Sequence, residues 1–346
     1  MPDFPEVFAF DSSDDEDDAA RALAGRLKEL EVDAPMVITS AQGKVLAGRI
    51  EGERAPDTPI AQTDQSWAFD LGARAAERDA DAIVAVGGGR CLDIAKLAAA
   101  RSGLVNIAVP TQLSHDGICS PVAVVPNEEG KSESLGAIAP RMVFLSIPTL
   151  LGAPPETIAA GLGDLLANPL ALRDWALAAE RGLESVDQRA WDMSVESFEL
   201  IESHLDIAPP ESLRDPGFVR RLADALILSG MAMIVAGTSR PASGGEHEIS
   251  HAVDQLFGGR AMHGAQVAFG CIVSVALYGE DTDAFRKLLR VLGLPNEPGD
   301  LDLSPDDLIR VVLAAPETRP GRFTILEDAN LDESDVVALI RRIWPN

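Results

Sequence analysis

Short apolar runs punctuate roughly the first 150 positions, and each is too brief to be a helix. "EVFAF" (6–10), "APMVITS" (34–40), "DAIVAV" (81–86), "VNIAVP" (105–110) and "RMVFLSI" (141–147) read as strands. Stretches at helical spacing lie between several of them, as in "DEDDAARALAGRLKELE" (15–31) and "SWAFDLGARAAERD" (66–79). Near-continuous apolar strands alternating with helices predict a parallel sheet covered on both faces. From about Pro154 the rhythm changes. Apolar positions then recur at helical spacing in "PPETIAAGLGDLLA", "PGFVRRLADALILSGMAMIVAG" and "HGAQVAFGCIVSVALYG", with Gly and Pro breaks between them. The pattern predicts an α/β nucleotide-binding domain over 1–152 and an all-α domain over 153–346.

Composition agrees and narrows the partners. A chain of 346 residues exceeds the usual limit of one core, and 46% hydrophobic content is ordinary for a globular protein. The formal net charge of −26 argues against nucleic acid or an anionic membrane as a partner, since either would be repelled. No apolar run reaches the roughly 20 residues of a membrane span, so no membrane insertion is expected. The opening residues lack the basic and apolar regions of a secretory signal. Cys91, Cys119 and Cys271 are odd in number and far apart, which suits neither a disulfide framework nor a cysteine zinc site. The expected location is cytoplasmic. The one low-complexity patch is the acidic "DSSDDEDD" (11–18).

Two loops carry candidate chemistry in the first domain. In "DAIVAVGGGRCLDIAK" a strand runs into Gly87, Gly88 and Gly89, and a helix follows from about Arg90. Glycines at that point let backbone approach a phosphate, and the helix N-terminus offers free N–H groups. The spacing matches neither common nucleotide fingerprint, so a simple tight turn is equally compatible. The next strand ends in "VPTQLSHDGICSP" (109–121), a polar loop where ligands of open α/β sheets bind, or merely a solvated loop.

Three of the five histidines fall in "SGGEHEISHAVDQLFGGRAMHGAQVAFG". His247 and His251, four apart, share one helix face, and His263 opens the next apolar helix. The break at "FGGRAM" would let that helix fold back and bring His263 to His247. Neutral imidazoles suit Zn²⁺ or Fe²⁺, and a catalytic site wants a third ligand. Asp164, alone among Ala, Leu and Gly in "AAGLGDLLAN", requires either a cation or a surface position.

Taken together, "GGGRCLDIAK", "VPTQLSHDGICSP", "AAGLGDLLAN", "RPASGGEHEISHAVD" and "MHGAQVAFG" resemble the sn-glycerol-1-phosphate dehydrogenases. These belong to the wider superfamily of iron-containing alcohol dehydrogenases, glycerol dehydrogenases and dehydroquinate synthases. The blocks occur in family order over roughly residues 34 to 270. The resemblance implies a Rossmann-like domain followed by a helical metal- and substrate-binding domain, the dehydroquinate synthase-like fold. It implies Asp164, His247 and His263 as ligands of a divalent metal, usually zinc, with Fe²⁺ or Ni²⁺ as alternatives. His251 then falls on a proton-relay position that also touches substrate. Gly87, Gly88 and Gly89, with Asp93 and Lys96, match the turn for the pyrophosphate of NADH or NADPH. Thr111, Ser114 and Asp116 match the loop lining nicotinamide and substrate, with Asp116 also a catalytic candidate. Arg240 is expected to end a loop beside the metal site and to grip the phosphate of a phosphorylated ketone. A homo-oligomer is expected.

Three departures stand out. Ala265 replaces an acid usual in the family's "HGEQ", Pro169 is expected to kink the helix after Asp164, and "VITSAQGKVLAG" (37–48) lacks an acid for the adenosine ribose. The last leaves Ser40 and Lys44 compatible with NADPH. The implied reaction is reduction of dihydroxyacetone phosphate to glycerol 1-phosphate. The alternatives are reduction of another small hydroxyketone or sugar phosphate, a sugar-phosphate cyclase, and a binding protein without turnover. The cyclase branch is lysine-rich at its active site, whereas Lys287 is the one lysine here beyond Lys131.

Overall fold

The computed structural model describes residues 4–11, 15–205 and 213–345. Part of the acidic patch, residues 12–14, lies outside them. The chain forms two compact units, Met1–Pro154 and Pro155–Asn346.

The first unit is built on a six-stranded sheet. Its strands are β1 (Glu6–Phe10), β2 (Met36–Thr39), β3 (Glu53–Arg54), β4 (Ala82–Gly87), β5 (Val105–Pro110) and, after a small hairpin, β8 (Met142–Ser146). They run in the order β1-β8-β5-β4-β2-β3, and all pairs are parallel. The hairpin is β6 (Val122–Pro126) and β7 (Ser132–Gly136), antiparallel and separate from the main sheet. Every residue of β4 and β8 is buried, which explains their unbroken apolar sequence. Helices α1 (Glu16–Glu29), α2 (Lys44–Ala47), α3 (Gln65–Glu77), α4 (Gly89–Ser102) and α5 (Ile147–Leu151) accompany the strands. Leu23 and Leu27 of α1 pack with Leu46 of α2 against Val37, Val84, Ile107 and Phe144 of the sheet. Helix α4 packs on β4, β5 and α3.

All five expected strands form, each within a residue or two of its predicted ends. Three strands are absent from the pattern reading. β3 is only two residues long, β6 is a short hairpin arm that follows the polar loop directly, and β7 is mostly exposed and carries no apolar alternation.

The second unit is helical among its described residues: α6 (Pro155–Leu165), α7 (Asn168–Glu180), α8 (Gln188–Leu205), α9 (Pro216–Ala236), α10 (Gly245–Phe257), α11 (His263–Leu277), α12 (Thr282–Val291), α13 (Pro305–Ala314), α14 (Ile325–Ala329) and α15 (Glu333–Ile343). Its centre is α11, buried continuously from Gly264 to Ala276 and packed on α6 and α10. Pro169 does not kink one helix. It sits in the first turn of α7, where its missing N–H costs nothing, and α6 has already ended at Leu165. No described helix is long and apolar enough to cross a membrane.

Candidate active site

The carboxyl ends of β2, β4 and β5 lie side by side. Gly87 pairs with Pro110, Thr111 N–H donates to Gly87 O at 3.0 Å, and Ser40 N–H donates to Val86 O at 3.0 Å. Gly88 precedes α4 in an extended conformation and supplies no side-chain cap, leaving the first N–H groups of the helix to an outside acceptor. Glycine is required here by packing. A Cβ on Gly89 would come within 2.3 Å of His115 Nε2. Thr111 and Ser114 are buried in the following loop, and Asp116 opens a short 3₁₀ turn at Asp116–Ile118.

Asp93 and Lys96 serve a different purpose from the one expected. Both are buried, with Lys96 Nζ 2.8 Å from Asp93 Oδ1. Lys96 also donates to Gly117 O at 2.8 Å and to Val122 O, while Asp93 Oδ2 accepts from Val124 N at 3.1 Å. These contacts saturate the ammonium inside the protein. The pair therefore fastens the 111–122 loop to α4 and acts on a cofactor only by holding the loop that would line it. His115, which the sequence reading passed over, packs against the glycine turn and accepts from Gly117 N at 3.0 Å through Nδ1. Burial lowers its pKa.

In the second unit three helices converge. Asp164 (α6), His247 (α10) and His263 (α11) place one donor atom each within 4.8 Å of one another. His247 Nε2 lies 3.7 Å and His263 Nε2 3.8 Å from Asp164 Oδ1. Those gaps are too long for hydrogen bonds. Two donors around a tetrahedral ion at about 2.1 Å lie roughly 3.4 Å apart, so the set fits a divalent cation after a small contraction. His247 is oriented from behind, its Nδ1 lying 3.0 Å from Glu246 Oε1.

Two glycines make this convergence possible. A Cβ on Gly163 would sit 2.4 Å from Gly264 O, and one on Gly270 would sit 2.3 Å from Glu246 O. Helices α6 and α10 thus approach α11 at backbone distance, one beside Asp164 and His263 and the other beside His247. The turn joining α10 to α11 is clamped by Gln266. Its Oε1 accepts from Arg260 N (2.6 Å) and Ala261 N (3.1 Å), and its Nε2 donates to Asp254 Oδ1 at 2.9 Å. Ala265 is buried beside it on α11.

Buried acids flank this donor set. Asp174 accepts from Gly245 N (2.7 Å), Ile325 N (2.8 Å) and Tyr278 Oη (2.6 Å), which ties the N-terminus of α10 to α7, α11 and α14. Burial raises the pKa of Asp174 and of Glu246, and the Glu246 carboxylate raises that of Asp174 further. Burial pushes Glu248 to about 9.

His251 lies near this donor set, its ring centroid 6.2 Å from that of His263. Arg319 donates to its Nε2 at 3.0 Å. A guanidinium has only donors, so Nε2 must accept and the imidazole keeps its proton on Nδ1. Burial, then the charge of Arg319, lowers its pKa well below the ordinary value.

Arg240 corrects the expectation made for it. It is 1% exposed, and its Nε donates to Glu184 Oε2 at 2.8 Å while Nη2 donates to Glu184 Oε1. Its Nη1 donates to Phe323 O at 2.8 Å. With all three nitrogens engaged and the charge neutralised, Arg240 is a structural ion pair and no phosphate grip. Arg319 and Arg322, which the sequence reading passed over, lie close by. Their signal was present in "ETRPGRF", two arginines in a Pro/Gly loop of an otherwise acidic C-terminal region.

With the fold and this donor set in view, comparison with known proteins gives the class first. A family model described as iron-containing alcohol dehydrogenase matches residues 16–154. Over its whole length the chain also shares the fold of a probable glycerol dehydrogenase from Sinorhizobium meliloti (TM-score 0.78, 22% identity, 98% of this chain and 96% of that one). An NADH-dependent butanol dehydrogenase from Thermotoga maritima has the same fold (TM-score 0.72, 14% identity, 99% and 97% covered). Two curated relatives narrow the class. The glycerol-1-phosphate dehydrogenase [NAD(P)+] of Methanoculleus marisnigri is 34% identical over 90% of this chain and 87% of its own length. The protein of the same name from Cenarchaeum symbiosum is 36% identical over 75% of this chain and 71% of its own. The chain belongs to the glycerol-1-phosphate dehydrogenase family.

Proposed function

We propose that this protein uses NADPH or NADH to reduce dihydroxyacetone phosphate to glycerol 1-phosphate, acting on this small phosphorylated ketone in the cytoplasm as a homo-oligomer. The observation that carries the reading is the Asp164–His247–His263 donor set, assembled at backbone-contact distance by Gly163 and Gly270. A divalent cation held there, zinc by the chemistry of the donors, supplies Lewis-acid polarisation of a ketone oxygen, and a reduced nicotinamide supplies the hydride. The chain's own residues do the rest. Glu246 fixes the orientation of the His247 imidazole. Arg319 fixes the tautomer of His251, which keeps Nδ1–H as a hydrogen-bond donor for the nascent hydroxyl oxygen, the transferred proton itself coming from solvent. The uncapped start of α4 takes the cofactor pyrophosphate, and the Lys96 clamp holds Thr111, Ser114 and Asp116 in the loop that lines the nicotinamide.

The test is cofactor oxidation by zinc-loaded protein with dihydroxyacetone phosphate, followed by the reverse reaction on the two glycerol phosphate enantiomers. Oxidation of glycerol 1-phosphate and not of glycerol 3-phosphate is expected, with NADPH used at least as well as NADH. Turnover confined to an unphosphorylated ketone would overturn the substrate. Stoichiometric zinc retained by His263→Ala would overturn the ligand set.

A further inference from the structure

Arg319 and Arg322 form an unusual pair. Both guanidinium groups converge on one hydroxyl: Ser239 Oγ accepts from Arg319 Nη1 at 3.1 Å and from Arg322 Nη2 at 3.0 Å. Arg319 also donates to Ser243 Oγ at 2.8 Å and to His251 Nε2 at 3.0 Å, and Arg322 donates to Ser243 O at 2.6 Å. Every one of these partners is neutral. Arg240 and Arg286, also sheltered, each face a carboxylate, Glu184 and Glu297 respectively. Among the described residues no carboxylate lies within ion-pair distance of Arg319 or Arg322. The nearest acidic fields come from Glu248 and Glu246 at Arg319 and from Glu248 and Glu184 at Arg322; Glu248 bonds Thr324 Oγ1, Glu246 bonds Gly244 N and the His247 ring, and Glu184 is paired with Arg240.

Two sheltered cations sharing neutral partners repel each other, and burial followed by the charges of Arg319 and Arg240 pushes Arg322 down to about 10. Such an arrangement is costly unless an anion completes it. The donor count agrees. Ser239 Oγ and Ser243 Oγ both accept from arginine, and neither hydroxyl hydrogen has an acceptor among the described residues. Two guanidinium forks and two hydroxyl donors make a cradle suited to an acceptor-only group with three terminal oxygens. The hydrogen bond from Arg319 to His251 sets this cradle beside the metal ligands, since the His251 and His263 ring centroids are 6.2 Å apart.

We propose that Arg319 and Arg322, braced on Ser239 and Ser243, bind the phosphate dianion of the substrate. This assignment rests on the reading of the protein as a reductase of a phosphorylated ketone, and it gives that site its specificity for phosphate. A chain of net charge −26 repels dianions in general, so the local cations are what admit one.

The experiment compares the zinc-loaded parent with Arg322→Gln and Arg322→Lys. It measures the KM for dihydroxyacetone phosphate, competitive inhibition by inorganic phosphate, and direct phosphate binding by calorimetry without cofactor. Loss of one charge-assisted fork weakens binding by about tenfold to a hundredfold, so Arg322→Gln should raise KM and the phosphate inhibition constant together by that factor. Arg322→Lys keeps the charge and loses the fork, so it should fall between the two. If Arg322→Gln does not fold, the lysine variant decides, and phosphate binding equal to the parent's overturns the proposal. Turnover of dihydroxyacetone phosphate with unchanged KM and phosphate binding in Arg322→Gln sinks the site and leaves the reductase standing. Phosphate binding by the parent that Arg322→Gln loses supports the site even if the parent turns over no ketone phosphate, in which case the reductase reading alone falls. A parent that binds no inorganic phosphate overturns the site.

Discussion

Asp174 shows how much one buried side chain can organise. It accepts two backbone N–H groups and a phenol, and no other described carboxylate joins α10, α11 and the Ile325 turn in this way. Asp174→Ala leaves three donors without a partner in the interior. The expected loss of unfolding free energy is on the order of 2–5 kcal/mol, read from denaturant midpoints. A loss below about 1 kcal/mol would mean that water replaces the carboxylate. The thiols offer a second residue-scale prediction. Cys91, Cys119 and Cys271 are all buried and free. Burial raises the first two from 9.0 to about 12 and raises Cys271 well above its ordinary value. Native protein near neutral pH should therefore resist iodoacetamide, while unfolded protein alkylates at all three positions. Because the folded pKa is the higher one, the stability these thiols contribute is intact below pH 9 and is lost as pH climbs towards 12. Each costs up to about 1.4 kcal/mol per pH unit across that window. A denaturant midpoint flat from pH 9 to pH 11 would contradict this.

Single residues also mark where sequence reading stopped. Asp164, His247 and His263 stood out because three of five histidines and an isolated acid are compositional anomalies, visible without any fold. Arg240 misled because its partner Glu184 lies 56 positions away, and the local "RPAS" loop gives no hint of that carboxylate. Asp93 and Lys96 misled in the same way. Their helical spacing is legible, but the inward turn of Lys96 towards Gly117 and Val122 is a property of the folded loop. Arg319 and Arg322 went unseen because their neighbours Ser239 and Ser243 are some 80 positions back along the chain.

At the scale of elements, the strands were legible because a strand buried on both faces must be apolar throughout, as β4 and β8 are. β7 and β3 were not, because an exposed hairpin arm and a two-residue bridge obey no such rule. Helix order was readable from period, whereas helix contact was not. The approach of α6 to α11 depends on Gly163, whose missing Cβ makes room for Gly264 O. Gly163→Ala would put a methyl 2.4 Å from that oxygen, so the helices must part by roughly 1 Å to reach ordinary contact. Bonds of about 2.1 Å to a cation do not tolerate that displacement of Asp164 from His263. The variant should keep its helical circular dichroism and lose about tenfold to a hundredfold in zinc affinity, measured by competition with a chromophoric chelator. Unchanged affinity would show that the donor set tolerates a looser helix pair.

For the whole molecule the dominant number is the net charge of −26. Like charges at that density repel within the compact state, and salt screens them. In about 1 M potassium chloride the screening length falls to about 3 Å, shorter than most surface separations. Urea midpoints should therefore rise with potassium chloride over that range. A midpoint that falls would mean that exposed ion pairs such as Arg49–Asp17 outweigh the general repulsion.

The three side chains proposed to hold the metal come from α6 and from the consecutive helices α10 and α11, packed at backbone distance within one unit. A cation that binds only the folded arrangement is then also a staple. At a free concentration a hundred times its dissociation constant it adds about 2.7 kcal/mol against unfolding. The added protection has an address. In amide hydrogen exchange, zinc should slow the amides of α6, α10 and α11 and leave those of β4 and β5 exchanging as before, so the metal's contribution to the fold is readable residue by residue without any substrate or cofactor.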